Sequence, residues 1–323
     1  MSKPRVILTR RWPQEAEARA SEVFDVQLNE HDISMSPGQL RECLRNADGV
    51  CPTVSDSIDA QVIASAPLRC RILGNFGVGF NNIDVTAARE AGIVVTNTPE
   101  VLTDCTADLA MTLLLSVARR AGEGERHVRD GGWTGWRPTH MMGAKVTGKT
   151  LGLIGMGRIA RAMAQRAHHG FDMKIVFTDP FPPPREVVDA LSATACDSIE
   201  ELLEQSDFVS LHCPGGAETH HLIDAGRLAK MKSTAFLVNS ARGDVVDPQA
   251  LIDALRAGSI AGAALDVFEG EPKVPDELIE MENVVLLPHL GSATHETRVA
   301  MGLRAIENLR AFFDGEPPRD RVA

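Results

Sequence analysis

Long apolar segments are missing from this sequence of 323 residues. No run approaches the roughly 18 apolar residues of a membrane-spanning helix. The N-terminal stretch also lacks an apolar segment of the length that a secretory signal needs. These absences predict a cytoplasmic protein without a membrane partner.

Excess positive charge and paired cysteines are missing too. The formal net charge of −11 repels nucleic acid and anionic lipid alike, so neither is an expected partner. The six cysteines are scattered without a C-x-x-C pair. This scatter argues against a disulfide framework and predicts buried free thiols.

Metal-ligand motifs are equally scarce. Adjacent histidines such as His168 and His169 would point to different sides of a helix. No H-E-x-x-H or similar spacing joins His127, His140, His168, His169, His220, His221 and His295. We therefore expect no bound metal.

What the sequence does contain is a glycine-rich βαβ pattern over residues 150–179. An apolar run leads into Gly155-Met156-Gly157-Arg158-Ile159-Ala160, which has the G-x-G-x-x-[GA] form of a dinucleotide-binding loop. Gly155 would permit the tight turn, and Gly157 would let the backbone approach a pyrophosphate. Ala160 would keep the following helix close to the strand. Free N–H groups at the start of that helix would then face the phosphates.

An acidic residue stands where such a loop needs one. Asp179 ends the next predicted strand, 24 positions after Gly155, which is about where a carboxylate meets a ribose 2′-hydroxyl. This favours NAD(H), because a 2′-phosphate would meet a carboxylate. Arg185 follows only after a proline cluster and could still curl back, so NADP(H) stays possible.

A second glycine pattern suggests a different ligand. Residues 143–150, GAKVTGKT, match the phosphate loop G-x-x-x-x-G-K-[ST] of nucleoside triphosphatases. Such a loop follows a strand and opens a helix, whereas this one follows a polar segment and opens a strand. Binding of ATP or GTP is therefore not expected.

Short apolar runs alternate with helical patterns along the whole chain. The alternation predicts an α/β fold with a Rossmann-type doubly wound parallel sheet of six strands and a second, flavodoxin-like α/β domain. A long helix over 102–120 and another over 295–313 are also predicted. We place a discontinuous substrate domain at 1–99 and 291–323, and an NAD(P)-binding domain at 100–290.

Reactive side chains follow three successive strands of the second sheet. Ligands of such sheets bind at the carboxyl ends of the strands, so Arg242, Glu271 and His289 are expected to converge beside the cofactor. The imidazole would donate and accept the proton, the carboxylate would orient it, and the guanidinium would hold a substrate carboxylate. This set predicts reduction of a 2-oxo acid to a 2-hydroxy acid.

The motifs around these residues, LGLIGMGRIA, VNSARGDVVD, ALDVFEGEP and LLPHLGSATHETR, resemble the D-isomer-specific 2-hydroxyacid dehydrogenases over nearly the whole chain. The stretches GMGRIA…AQRAHHGF and GSATHETR are most similar to the family's bacterial glyoxylate/hydroxypyruvate reductases. The resemblance implies that Arg242 binds substrate, that Glu271 assists and that His289 donates the proton. It also implies that Val78 and Gly79 offer amides to the substrate carboxylate.

Cofactor contacts follow from the same resemblance and from the strand ends. The resemblance implies them at Thr106, Arg158, Ile159, Asp179, Cys213, Ala241 and Asp266. The loop and the strand ends add Gly155, Gly157, His212, Pro214, Ser240, Arg242, His289 and Gly291 as predicted contacts. We also expect a homodimer, because two tryptophans in the segment 131–138 are typical of a subunit contact.

Two alternatives remain open. Some proteins that resemble this family bind NAD(H) as transcriptional corepressors, although they would be expected to carry disordered tails that this chain hardly has. The substrate could also be another 2-oxo acid, such as 2-ketogluconate.

Overall fold

Two units make up the chain in the computed structural model, which describes residues 3–64 and 67–323. One unit comprises Met1–Leu102 with Ser292–Ala323, and the other comprises Thr103–Gly291. The assignment of a substrate role to the first and a cofactor role to the second stays a prediction at this point.

The first unit is a parallel sheet flanked by helices. Its strands, within the described residues, are β1 (Arg5–Leu8), β2 (Asp25–Gln27), β3 (Gly49–Cys51), β4 (Ile72–Gly74) and β5 (Val94–Thr96). The intervening helices are α1 (Gln14–Val23), α2 (Pro37–Asn46), α3 (Ala60–Ile63) and α4 (Val85–Glu90). The strand order β2-β1-β3-β4-β5 is that of flavodoxin-like folds, which confirms the prediction for this sheet.

The second unit contains a larger parallel sheet. Its helices are α5 (Thr103–Ala118), α6 (Ala121–Arg129), α7 (Arg158–Phe171), α8 (Arg185–Ala190), α9 (Ile199–Gln205), α10 (Ala225–Leu228), α11 (Pro248–Arg256) and α12 (Asp276–Glu280). Its strands are β6 (Thr150–Ile154), β7 (Lys174–Thr178), β8 (Thr194–Ala195), β9 (Phe208–Leu211), β10 (Phe236–Asn239), β11 (Gly262–Leu265) and β12 (Val284–Leu286).

The order of this sheet is β12-β11-β10-β9-β6-β7-β8, a doubly wound arrangement that reverses direction next to β6. The predicted fold class is confirmed, but the prediction of six strands was wrong. In the described part of the sheet there are seven, because the two-residue edge strand β8 is exposed on both residues and carries no apolar run. Strand β6 opens at Thr150, as the argument against a triphosphate-binding loop required.

The two longest helices of the described residues bury apolar side chains. Helix α5 buries Ala107, Ala110, Leu113 and Leu114, in agreement with the prediction of a long, largely buried helix that begins near residue 102. The last helix, α13 (His295–Phe313), has the predicted bounds and packs on α1 and β4 of the first unit. No helix of the described chain is long and apolar enough to cross a membrane.

The cysteines only partly follow the prediction. Cys43, Cys51 and Cys70 are buried in the first unit. The other three cysteines are half-buried, so the prediction that all six are buried was wrong. No disulfide joins cysteines in the part of the chain that the structure describes.

Candidate active site

The glycine-rich loop has the backbone that its sequence predicts. Gly155 has φ +89°, and a Cβ there would lie 2.9 Å from the Cys213 backbone nitrogen. A larger residue would therefore be strained and would collide with the neighbouring strand end. Gly157 precedes the first residue of α7, and a Cβ at this position would point into open space.

This arrangement fits a dinucleotide. The 14-residue helix α7 begins at Arg158, so the N–H groups of its first turn, which includes Ile159, lack carbonyl partners within the helix and are available to a phosphate. Across the loop, the Asp179 carboxylate accepts hydrogen bonds from the Met156 N–H at 2.6 Å and the Phe181 N–H at 2.7 Å. Each oxygen keeps a further lone pair for a hydroxyl donor. The buried Oγ of Ser240 has no hydrogen-bond partner among the described residues.

The end of β10 is built around an amide that the sequence analysis did not select. Asn239 is buried, its Oδ1 accepts from the Ala241 N–H at 3.0 Å, and its Nδ2 donates to the Arg242 carbonyl at 2.9 Å. These two bonds close the turn that presents Arg242. The one sequence signal for this role is an amide residue at the last position of a buried strand.

Arg242 is a largely enclosed cation. Its Nη1 donates to the Ala241 carbonyl at 2.6 Å. Burial lowers the pKa of the Arg242 guanidinium, and the negative charges of Glu271 and Asp244 oppose that shift. The group stays charged at neutral pH because the ordinary arginine pKa is above about 12. Asp244, another residue that the sequence analysis passed over, also accepts from the Gly216 N–H at 3.0 Å.

Glu271 and His289 form the predicted pair. Nδ1 of His289 lies 2.8 Å from Oε2 of Glu271, while Oε1 of Glu271 accepts from the Phe268 N–H at 2.9 Å. Burial alone would raise the pKa of Glu271. The hydrogen bonds from His289 and Phe268, together with the charges of His289 and Arg242, outweigh burial, so the pKa lies below its ordinary value. The carboxylate is thus ionised at neutral pH and fixes one nitrogen of the imidazole.

Asp266 holds the backbone that carries His289. This fully buried residue accepts from the N–H groups of Leu290 at 2.7 Å and Gly291 at 2.8 Å, and its carbonyl accepts from the His289 N–H. These bonds keep His289 in the left-handed region, with φ +56°. Burial raises the pKa of Asp266, although the two N–H bonds and the His289 charge counteract it. Thr106 Oγ1 completes the set by donating to the Gly291 carbonyl at 3.0 Å.

The end of β9 contributes neutral groups. Burial lowers the pKa of His212 to about 4, so its imidazole is uncharged at neutral pH; its Nε2 lies 3.0 Å from the Ser210 hydroxyl. Burial raises the pKa of the Cys213 thiol to about 11, which keeps the thiol protonated. The next residue, Pro214, is exposed. Of the two strand-end histidines, His289 is the one that is paired with a carboxylate.

Val78 and Gly79 belong to the first unit, in the loop after β4. Asn97 Nδ2 donates to the Val78 carbonyl at 2.8 Å, and Asn75 Nδ2 donates to the Gly79 carbonyl at 2.9 Å. Within the described chain, the backbone N–H groups of Val78 and Gly79 donate no hydrogen bond. Their contact with a substrate carboxylate stays a prediction.

Comparison with known proteins identifies the family. The sequence model of the D-isomer specific 2-hydroxyacid dehydrogenase, NAD binding domain, matches residues 111–291, which include Arg242, Glu271 and His289. The chain belongs to this family. It is 47% identical over 322 residues to a glyoxylate reductase of Korarchaeum cryptofilum, and the match covers 99% of this chain and 96% of the relative.

Solved structures agree. The TT0316 protein of Thermus thermophilus superposes with a TM-score of 0.90 at 42% identity, over 99% of this chain and 100% of the other. An NADPH-dependent glyoxylate/hydroxypyruvate reductase of Sinorhizobium meliloti, in complex with NADP and malonate, superposes with a TM-score of 0.88 at 34% identity, over 100% and 97% of the two chains. The chain is therefore an oxidoreductase that uses a nicotinamide cofactor and reduces a small 2-oxo acid, which confirms the predicted reaction class.

Proposed function

We propose that this enzyme reduces glyoxylate to glycolate or hydroxypyruvate to the D-2-hydroxy acid, with NADH as the preferred cofactor. The observation that carries the proposal is the 2.8 Å pair between His289 Nδ1 and Glu271 Oε2, because it commits one imidazole nitrogen to the protein and leaves Nε2 for a substrate oxygen. The glyoxylate reductase of Korarchaeum cryptofilum and the glyoxylate/hydroxypyruvate reductase of Sinorhizobium meliloti support the substrate class.

Each side chain of the set has one role in this proposal. When bound, the nicotinamide supplies the hydride. Nε2 of His289 donates the proton to the carbonyl oxygen, and Glu271 holds the imidazole in the required orientation through Nδ1. Arg242 places two N–H donors on the substrate carboxylate and carbonyl, which fixes the face that is attacked. Asp266 keeps the His289 backbone in position. Val78 and Gly79 remain the predicted amide contacts of the substrate carboxylate.

Asp179 supports the preference for NADH. A carboxylate only accepts hydrogen bonds, so it pairs with ribose hydroxyls and repels a 2′-phosphate. We expect kcat/KM to be higher with NADH than with NADPH. The Asp179→Ser variant should lower kcat/KM with NADH and so reduce the ratio of kcat/KM with NADH to kcat/KM with NADPH. Asp172→Ser, at the end of α7, should leave this ratio unchanged. Equal use of both cofactors by the wild-type enzyme would contradict this part of the proposal.

A homodimer is the expected assembly. Exposed apolar side chains cluster in sequence on α6 and the segment after it, with Val128 58%, Trp133 55%, Trp136 82% and Met142 68% exposed. Monomeric proteins rarely leave such a cluster uncovered. A second copy of the chain would cover it, so sedimentation should show a dimer that Trp136→Ser weakens. Phe181→Ser, which removes an exposed aromatic side chain of the loop after β7, should not weaken the dimer. A monomeric wild-type protein would contradict the assignment.

The decisive test is a substrate panel. Initial rates with glyoxylate, hydroxypyruvate, pyruvate and 2-ketogluconate, each with NADH and with NADPH, give eight values of kcat/KM. The proposal requires the highest value for glyoxylate or hydroxypyruvate. A higher kcat/KM for 2-ketogluconate would favour the alternative substrate. The absence of turnover with all four acids would contradict the proposed substrate class.

A further inference from the structure

A cluster of two imidazoles and one carboxylate lies outside the set that acts on the 2-oxo acid. His220 Nε2 lies 3.3 Å from Oε1 of Glu269, and His221 Nε2 lies 2.9 Å from Oε2 of the same residue. The three ligand atoms lie within 4.8 Å of one another. Among the residues that the structure describes, this is the one group of three or more such side chains that meets that limit.

The backbone explains why two consecutive histidines point the same way. His221 has φ +49°, in the left-handed region, and its N–H donates to the Asp244 carbonyl at 2.8 Å. In an extended strand, neighbouring side chains point to opposite faces. Here the left-handed turn stacks the two rings with centroids 3.9 Å apart and planes 24° apart, so that both Nε2 atoms face Glu269.

The donor atoms suit a transition metal ion. Two imidazole nitrogens and a carboxylate oxygen are typical ligands of Zn²⁺, Co²⁺, Ni²⁺ or Cu²⁺. An ion about 2.1 Å from each ligand in a tetrahedral site needs ligand atoms about 3.4 Å apart. The two observed nitrogen–oxygen separations, 3.3 and 2.9 Å, end on different oxygens of Glu269, and the three ligand atoms lie within 4.8 Å of one another. Binding of one ion therefore requires each separation to change by at most about 1.4 Å. Side-chain exposures of 51% for His220, 32% for His221 and 35% for Glu269 leave room for water to complete the coordination.

Similar groups elsewhere in the chain lack one of these features. His168 and His169 are also consecutive, but their rings are T-shaped at 4.9 Å, and His168 Nδ1 is engaged with the Met173 carbonyl. His295 faces Glu15 at 3.0 Å as a single imidazole–carboxylate pair. These two groups provide controls that match the cluster in residue type but not in geometry.

We propose that His220, His221 and Glu269 bind one divalent transition metal ion. The ion would join the segment between β9 and α10 to the loop that carries Glu271, since Glu269 lies only two residues before it. No metal was expected from the sequence, because no spacing motif joins the histidines. Glu269 lies 48 positions after His221, too far for such a motif.

The test uses the full-length chain without a polyhistidine tag, which would bind the same ions. Calorimetric titration with ZnCl₂ and NiCl₂ should show one ion per chain, and the absorption spectrum with CoCl₂ should show visible bands of nitrogen–oxygen coordination. MgCl₂ should not bind at the same concentrations, because Mg²⁺ prefers oxygen ligands and octahedral geometry. Zinc should also raise the thermal unfolding midpoint, since it binds the folded state.

Matched variants locate the site. His220→Gln, His221→Gln and Glu269→Gln should each raise the Kd of Zn²⁺ by about tenfold or more and remove the rise in unfolding midpoint. His169→Gln, His295→Gln and Glu15→Gln should keep the wild-type Kd. Circular dichroism of the metal-free variants checks their fold, and the more exposed His220 serves as the second variant if His221→Gln does not fold. Failure of the wild type to bind one ion, or wild-type affinity in folded His220→Gln and Glu269→Gln, would overturn the proposal. Equal binding of Mg²⁺ would do the same.

Discussion

The two parallel sheets of this protein place polar residues at the same structural position, the carboxyl ends of their strands, but use them differently. In the first unit, Oδ2 of the buried Asp56 accepts hydrogen bonds from Thr9 Oγ1 at 2.6 Å, Thr53 N–H at 2.8 Å and Thr53 Oγ1 at 3.0 Å. Asn75 and Asn97 likewise donate to loop carbonyls. These side chains are occupied in holding the loops.

The second unit contains the same kind of support and adds a second set of groups. Asn239 and Asp266 are buried and hold backbone, as Asp56 does, whereas the paired side chains of Glu271 and His289 remain 35% and 32% exposed. A parallel sheet with polar residues at its strand ends is therefore not by itself a reaction site. A reaction site also needs ionisable groups in addition to those that hold the loops, and these groups must keep atoms available to a ligand.

The largest effect on activity is expected for His289→Ala. Loss of the proton donor should lower kcat by a factor of about 10²–10⁴, while the Kd of NADH, measured by fluorescence titration, should change far less. His169→Ala, an exposed histidine at the end of α7, provides the control. Equal losses in turnover and in cofactor affinity would mean that His289 supports the fold, as the strand-end residues of the first unit do.

The next largest effect is expected for Arg242→Lys. Lysine keeps the charge but loses the planar fork, so KM for the 2-oxo acid should rise and kcat/KM should fall by about 10²-fold. Arg256→Lys, at the exposed end of α11, tests whether any arginine of this unit behaves in the same way. Unchanged kinetics for Arg242→Lys would place the substrate anchor elsewhere.

The sequence could predict the sheets because buried parallel strands are apolar runs that alternate with amphipathic helices. Strand β8 was missed for the same reason, since its two exposed residues form no such run. The reversal next to β6 agrees with the glycine-rich loop, which marks that position in doubly wound sheets. The fixed hand of parallel connections limits the possible topologies of the first sheet but does not give its strand order.

The candidate site could be predicted where a reactive residue type follows a strand within a few positions: Arg242 and His289 lie three residues after β10 and β12, and Glu271 lies six residues after β11. The supporting contacts could not be predicted. The bond from Phe268 N–H to Glu271, the bonds that Asp266 accepts from the backbone after His289, and the contact of His221 with Glu269 all depend on how separate loops pack. No local pattern encodes those distances.

A smaller effect is expected for Glu271→Gln, which tests the support of the imidazole. We expect kcat/KM to fall by about 10- to 100-fold, because the glutamine side chain keeps the shape but loses the charge-assisted hydrogen bond that orients the imidazole. Glu280→Gln, on exposed α12, is the control. An unchanged kcat/KM would mean that His289 needs no carboxylate partner.

The same variant has a signature in the pH dependence of stability. The pKa of Glu271 is lower in the folded chain than its ordinary value of about 4.3. The stabilisation from its ionised form is therefore complete above that ordinary value and is lost as the pH falls through the folded-state value. The difference in thermal unfolding midpoint between wild type and Glu271→Gln should shrink as the pH falls below about 4. A difference that grew below about pH 4 would contradict the assigned direction.

Asp56→Asn tests whether the strand-end side chains of the first unit serve only to hold loops. It should leave turnover unchanged. An asparagine oxygen in the Oδ2 position would accept the same three hydrogen bonds without the charge of the carboxylate, so the bonds would be weaker. The loss should cost about 1–3 kcal/mol of stability and lower the unfolding midpoint by several degrees, while kcat per folded chain stays at the wild-type value. Asp25→Asn, on the exposed strand β2, should change neither. A fall in kcat without a fall in the unfolding midpoint would show that a strand-end carboxylate of the first unit acts on the reaction. The difference drawn here between the two sheets would then be wrong.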